Sequence, residues 1–145
     1  MKIMLATNKY RKQIINFFDD NLDKSNKAVC SDEFFCPFGT GAAVKRNQVV
    51  IGIDEGVMVS AVRFYPRKTD KIVSVYQFAV DKKYRGNKLL QQMLQATGFE
   101  KFEFKCPKEI NFNNYYKKIG ANIGKQDEDY NYWVLINKYD KGNII

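Results

Sequence analysis

Val75-Tyr-Gln-Phe-Ala-Val-Asp-Lys-Lys-Tyr-Arg-Gly-Asn-Lys-Leu-Leu90 is the stretch that decides how the chain is read. Up to Val80 it is apolar and aromatic apart from Gln77, which fits the end of a strand over Ile72–Val80. From Leu89 onward, Leu89, Leu90, Met93, Leu94 and Thr97 recur at helical spacing, and Gly98 is a natural stop. A strand therefore runs straight into a short basic loop, and the loop opens a helix. The first N–H groups of a helix lack intrahelical acceptors, and the helix dipole adds partial positive charge at the same end. Arg85, Gly86, Asn87 and Lys88 lie at that point. Gly86 lets the backbone approach a ligand closely, while Arg85 and Lys88 add full charges. Such a junction suits a phosphate or pyrophosphate.

Charge counts agree. The 145-residue chain has 24 Lys+Arg against 16 Asp+Glu, a net charge of +8. Between Arg63 and Lys88 stand eight basic and two acidic residues, so +6 of local charge surrounds this loop and the hairpin before it. The surplus calls for an anionic partner, either nucleic acid or a phosphorylated cofactor. The chain has no histidine. This excludes Ser-His-Asp and Cys-His nucleophilic machinery, His-ligated zinc and a His general base. Cys30, Cys36 and Cys106 form no CxxC pair, so no metal is expected and all three read as reduced thiols. A reactive thiol at Cys106 is the sharper, less favoured alternative.

Outward from the junction, the elements are short and distinct. Met1–Ala6 reads as a strand and not as an export signal. Thr7 and Asn8 are placed to cap a helix on which Tyr10, Ile14, Phe17, Phe18 and Leu22 make one apolar stripe. The span 23–41 is mixed, with Phe34, Phe35, Pro37 and Phe38 marking a packed loop or short helix. Val49–Ile53, Val57–Tyr65 and Ile72–Val80 then read as a three-strand meander, with turns at Asp54-Glu55-Gly56 and 66–71. Phe102, Phe104 and Cys106 alternate with charged residues at strand period. Phe112, Tyr115, Tyr116 and Ile119 mark a second amphipathic helix ended by Gly120, and Tyr132–Ile136 is a last strand after a turn at 127–131. The whole is one mixed α/β domain, 1–145, around a central sheet. No apolar run reaches membrane-spanning length, and a cytoplasmic location is expected.

With these residues in place, the chain resembles the GNAT superfamily, the acyl-CoA-dependent N-acyltransferases. In that family a strand ending in an Ala-Val-like pair leads to a pyrophosphate loop of the form [Q/R]-x-x-G-x-[G/A]. Ala79-Val80 fits the pair and Arg85 the first loop position, while Lys88 and Leu90 stand where small residues are usual. Asn111-Phe-Asn-Asn-Tyr-Tyr-Lys-Lys-Ile-Gly120 is similar to the family's late motif: Tyr116, Ile119 and Gly120 match in order. Asn111 lies nearer the Tyr than is usual, and Ala121 replaces a common Phe. The likeness in element order covers nearly the whole chain.

The resemblance implies a mostly antiparallel twisted sheet flanked by helices, with acetyl-CoA as acyl donor and an amine as acceptor. It places Phe78, Ala79 and Val80 against the pantetheine arm, Arg85, Gly86, Asn87, Lys88, Leu89 and Leu90 on the pyrophosphate, and Asn111 among the cofactor-binding residues. Tyr116 is the implied proton donor to the leaving thiolate. Many relatives carry a Glu on the strand before the Ala-Val pair, whereas positions 74–78 here hold no carboxylate. Tyr76 or Gln77 could orient a water, or Asp32, Glu33 or Glu55 could reach the site, and no base is assigned. The acceptor is a small molecule or protein amine, the assembly a monomer or homodimer, and no membrane is involved. Tyr130 and Tyr132 are candidates for the acceptor side, and Trp133 for the core. The reading from another class is a non-catalytic basic module that binds nucleic acid or protein on a degenerate GNAT fold.

Overall fold

The computed structural model describes residues 1–30 and 36–137, so Asp32, Glu33, Phe34 and Phe35 lie outside the described residues. Seven strands form one sheet: β1 (Lys2–Leu5), β2 (Val49–Asp54), β3 (Val57–Pro66), β4 (Val73–Val80), β5 (Lys101–Pro107), β6 (Asn122–Gln126) and β7 (Tyr130–Ile136). Their order is β1-β2-β3-β4-β5-β7-β6, and every neighbouring pair is antiparallel except β4 and β5. The expected meander is present as β2-β3-β4, and β1, which leads to β2 through intervening helices, pairs antiparallel along the outer edge of β2. Among the described residues four α-helices cover the sheet: α1 (Arg11–Asn21), α2 (Pro37–Lys45), α3 (Leu89–Ala96) and α4 (Phe112–Lys118). Among the described residues no helix is long and apolar enough to cross a membrane.

Each face of the sheet buries its own apolar layer. On one side Ile14, Phe17 and Phe18 of α1 and Ala43 and Val44 of α2 pack on Val49, Ile51, Ala61 and Ala79. Tyr10 and Leu22 extend this stripe as half-buried neighbours, completing the row that the helical spacing predicts. On the other side Leu90, Met93 and Leu94 of α3 and Tyr116 of α4 pack on Val62, Phe64, Val73, Val75, Phe102 and Phe104. Phe102, Phe104 and Cys106 are all buried, as their alternation requires. Cys106 is wholly enclosed, and burial pushes its thiol up to about 11. It is therefore an inert core thiol and not a nucleophile.

Two local expectations change. Neither Thr7 nor Asn8 caps α1 with its side chain: Thr7 precedes a 3₁₀ turn over Asn8–Tyr10, and α1 starts only at Arg11. Likewise β4 does not pass directly into the loop. A 3₁₀ turn at Lys82–Tyr84 intervenes, opened by Asp81, whose carboxylate accepts the Lys83 N–H at 2.9 Å.

The feature that makes room for a site is a register shift in β4. Arg63 pairs with Gln77 and Phe64 with Val75, so Tyr76 is an extra, bulged residue. Val73 and Val75 face the α3–α4 layer before the bulge, and Phe78 and Val80 face it afterwards, while Ala79 joins the opposite layer. Pairing of β4 with β5 stops at the same point: only Val73–Val75 meet Phe102–Phe104. Among the described residues, the β5-facing edge of β4 from Tyr76 to Val80 has no partner strand, because β5 continues instead beside β7.

Candidate active site

The space opened by the splayed strands is a cleft of about 730 Å³. Phe78, Ala79 and Val80 form one wall, and Ile110, Phe112, Tyr115 and Tyr116 the other. Arg85, Gly86, Lys88, Leu89 and Leu90 close one end. Of the residues that the resemblance assigns to the cofactor or to proton donation, only Asn87 and Asn111 do not line it. Asn87 turns its amide to the Tyr84 carbonyl at 3.4 Å. Asn111 is exposed at the start of α4 and caps nothing with its side chain.

The loop between the 3₁₀ turn and α3 contains two left-handed residues, Gly86 (φ 87°) and Lys88 (φ 57°). This accounts for the small residue usual at the Lys88 position: a left-handed conformation costs an ordinary side chain roughly 1–2 kcal/mol. A Cβ placed on Gly86 would meet nothing within 4 Å, so the backbone there faces open space. Gln92 N–H makes the first intrahelical-type bond of α3, to Lys88 O at 3.1 Å. Among the described residues, none of the six main-chain N–H groups from Gly86 to Gln91 has an acceptor. Six consecutive free donors at a helix start form an anion cradle. Arg85 does not reach outward with its whole guanidinium, because Nε donates to Val80 O at 3.0 Å and clamps the loop to the strand end. Lys88 lies at the border between this cleft and a second, basic groove of about 1160 Å³ that also contains Arg67, Lys101, Lys118 and Lys125.

Tyr116 is 2% exposed and sits in an aromatic group with Phe104 (5.0 Å between ring centres), Phe112 (5.3 Å), Phe78 (6.2 Å) and Trp133 (6.1 Å, stacked). Burial, followed by the neighbouring Cys106 and Tyr115, holds its phenol well above the ordinary tyrosine value. It is thus protonated throughout the physiological range: a donor and not a base. Tyr115, one residue before it, is the more open of the two and also lines the cleft. Trp133 is a core residue and donates from Nε1 to Asn113 Oδ1 at 2.8 Å. Tyr130 and Tyr132 do not line the cleft: Lys105 lies over the ring of Tyr130, while Tyr132 donates to Asp127 at 2.8 Å.

Sequence reasoning missed three contributors. Asn113, two positions after Asn111, donates to the carbonyls of Pro107 and Ile110 at 2.8 Å each and accepts from Asn131 and Trp133, joining α4 to the sheet. Asp54, the neighbour of Glu55, receives the Tyr84 hydroxyl at 2.6 Å. The connection after α1 supplies Asn21, Leu22, Asp23, Asn26 and Val29 to the cleft. It is moored to β4 by wholly buried Gln77, whose Nε2 donates to Val29 O at 2.6 Å. Gly at the loop, Asp before a turn and Asn beside a helix start were signals present in the sequence, but which of two neighbours pointed inward was not.

No protein-family model matches the chain, and no curated protein matches it in sequence. Solved structures match in fold. A GNAT-family acetyltransferase from Listeria monocytogenes superposes with a TM-score of 0.72 at 13% identity, over 93% of this chain and 94% of that one. The PaiA N-acetyltransferase of Thermoplasma acidophilum, solved with coenzyme A, gives 0.72 at 10% identity over 93% and 98%. Diaminobutyrate acetyltransferase of Paenibacillus lautus, solved with diaminobutyric acid and coenzyme A, gives 0.66 at 14% identity over 96% of both. The chain therefore has the GNAT acetyltransferase fold, with the mostly antiparallel sheet and flanking helices that the sequence resemblance implies.

Proposed function

We propose that the protein is an N-acyltransferase that moves an acetyl group from acetyl-CoA to an amine. The observation that carries this reading is the run of six unpaired amides from Gly86 to Gln91, set at one end of a cleft whose wall is an unpaired strand edge. The residues fit the donor. The amide cradle with Arg85 and Lys88 matches a pyrophosphate, and the open space over Gly86 leaves the backbone accessible to it. The free edge of β4 over Phe78–Val80 offers main-chain groups to the amides of a pantetheine arm, and Phe112 and Tyr115 cover it. The coenzyme-bound relatives on this fold lend support, as do relatives that act on small amines, diaminobutyrate and polyamines.

Bound acetyl-CoA would supply an activated acyl thioester. The chain's part is to hold it, exclude water and manage protons. Main-chain donors at the splayed edge are suited to polarise the thioester carbonyl. Tyr116, which lines the cleft and is protonated by virtue of its burial, would donate a hydrogen bond to the departing sulfur. Positions 74–78 offer no carboxylate to take the amine's proton. The one carboxylate that lines the cleft among the described residues, Asp23, is held below the ordinary carboxylate value by its bonds from Ser25, which makes it a poor base. The amine therefore loses its proton to solvent, and positioning supplies much of the rate.

Titration with acetyl-CoA tests the reading. A specific ligand raises the melting temperature by mass action, by about 2.7 kcal/mol of added stability at one hundred times Kd. No shift at millimolar acetyl-CoA, together with salt-sensitive binding of DNA or RNA, would instead select the non-catalytic basic module.

A further inference from the structure

The free edge of β4 has a closed end. It starts beside the anion cradle at Val80, whose carbonyl accepts from Arg85 Nε at 3.0 Å. It stops after Tyr76, because Val75 is paired with Phe104 of β5. At about 3.3 Å per strand residue the open stretch is ~13 Å long. An arm that begins at the cradle and pairs its amides with this edge therefore ends in the fork where the two strands meet.

A side chain fills that fork. Phe78 is half-buried and lines the cleft. Its ring reaches across to β5 and stands edge-on to Phe104, 5.7 Å between ring centres. Phe112 at 5.7 Å, Tyr115 at 6.0 Å and Tyr116 at 6.2 Å surround it. Phe104 itself is buried and does not line the cleft. Phe78 thus stands between the open cleft and Phe104. The other walls of the fork are fixed as well. On the opposite face of β4, Gln77 is wholly buried, bonded to Val29 O at 2.6 Å, and does not line the cleft. Tyr116 is packed on Phe104 at 5.0 Å and on Trp133 at 6.1 Å. Rings packed this closely give way only at a cost.

We infer that Phe78 limits the length of the acyl chain that the protein accepts, admitting acetyl and turning away chains of four carbons or more. The inference rests on the acyltransferase reading and adds the selectivity for the donor to it. With the thioester in the fork beside Tyr116, an acetyl methyl ends against the Phe78 ring, and a longer chain has to displace it. Truncating Phe78 would open the fork as far as Phe104 and give the added methylenes an apolar surface to cover.

The test is a calorimetric titration of the intact protein with CoA, acetyl-CoA, butyryl-CoA and hexanoyl-CoA, with no amine present. Butyryl-CoA is expected to bind at least about tenfold more weakly than acetyl-CoA, as crowding a filled site costs. In Phe78→Ala the ratio of the two affinities should fall to one or invert. Phe78→Val, a milder truncation, should move the ratio the same way and covers the case in which the alanine variant fails to fold. Phe112→Ala widens the cleft where the ring is already 40% exposed, leaves Phe78 in place, and should keep the wild-type ratio. A change there as large as in Phe78→Ala would take the limit away from Phe78 and overturn the inference. So would equal affinity for acetyl-, butyryl- and hexanoyl-CoA in the wild type, or a ratio that both Phe78 variants leave unchanged, while binding of CoA itself would keep the acyltransferase reading standing. Binding of none of the four overturns that reading and the inference with it.

Discussion

The Tyr84 hydroxyl donates a 2.6 Å hydrogen bond to Asp54 Oδ2, and so ties the turn ahead of the anion cradle to the end of β2. The chain's own amino group lies 3.5 Å from the other Asp54 oxygen. The Tyr84 bond is the main reason that the Asp54 carboxyl is lowered and the main reason that the Tyr84 phenol is raised. A lowered carboxyl contributes above its ordinary value and loses the contribution as pH falls through the lowered one. A raised phenol contributes below its ordinary value and loses it as pH rises through the raised one. The tie is therefore whole from about pH 4 to about pH 10. Tyr84→Phe and Asp54→Ala should each weaken acetyl-CoA binding by roughly three- to tenfold at pH 7, and the double variant should be no worse than either single one. Additive losses in a calorimetric titration would show that the two residues act separately.

Lys88 holds a left-handed conformation that glycine adopts without strain. Lys88→Gly should raise stability by up to about 1 kcal/mol, whereas Lys88→Ala keeps the strain and should not. Both remove an ammonium from the border of the cleft, so both should weaken acetyl-CoA binding by a similar factor of a few. Denaturant melts and binding isotherms of the two variants separate strain from charge. A Lys88→Gly protein less stable than Lys88→Ala would refute the assignment.

Tyr116→Phe removes a hydroxyl and keeps the ring that Phe104 and Trp133 pack against. Turnover should fall by about 100-fold, the lower range for a general acid, with acetyl-CoA affinity nearly unchanged. Because the Tyr116 phenol is raised and no carboxylate among the described residues is suited to act as base, log kcat/KM should climb with unit slope from pH 6 to about pH 9, following deprotonation of the free amine. A plateau near pH 6–7 would reveal a base with its own titration, and full turnover in Tyr116→Phe would remove the tyrosine from the chemistry.

Gly52 and Ser60 face each other across β2 and β3. A Cβ on Gly52 would come 2.2 Å from Ser60 Oγ, and that hydroxyl is itself buried without a hydrogen-bond partner. Gly52→Ala should therefore destabilise by roughly 1–3 kcal/mol, and Ser60→Ala should be neutral or stabilising. The double variant should recover at least about 1 kcal/mol relative to the sum. Chemical denaturation of the four proteins closes the cycle, and simple additivity would place the clash elsewhere.

Much of the fold was legible because its signals are periodic. Ile14, Phe17 and Phe18 repeat at helical spacing, and Phe102, Phe104 and Cys106 at strand spacing, and all six are buried. The loop was legible because Arg85-Gly86 follows an apolar strand. The 3₁₀ turn at Lys82–Tyr84 was not, since a three-residue turn has no hydrophobic period and shows only as an Asp before two lysines. The cleft's far wall was hidden for the same reason: Asp23, Asn26 and Val29 belong to a polar connection whose place is set by one long-range bond from Gln77. Between Asn111 and Asn113, and between Tyr115 and Tyr116, the phase of a seven-residue helix decides which side chain turns inward, and so short an element offers too few repeats to fix that phase.

The bulged Tyr76 has a consequence for chain length. The strand is written in two phases, one on either side of it. Deleting that residue would restore unbroken alternation, leave Phe78 and Val80 on one layer and Gln77 and Ala79 on the other, and bring Tyr76's successors back into step with β5. Shortening the chain by one residue would thereby zip a slotted sheet shut while leaving every other side chain's identity untouched.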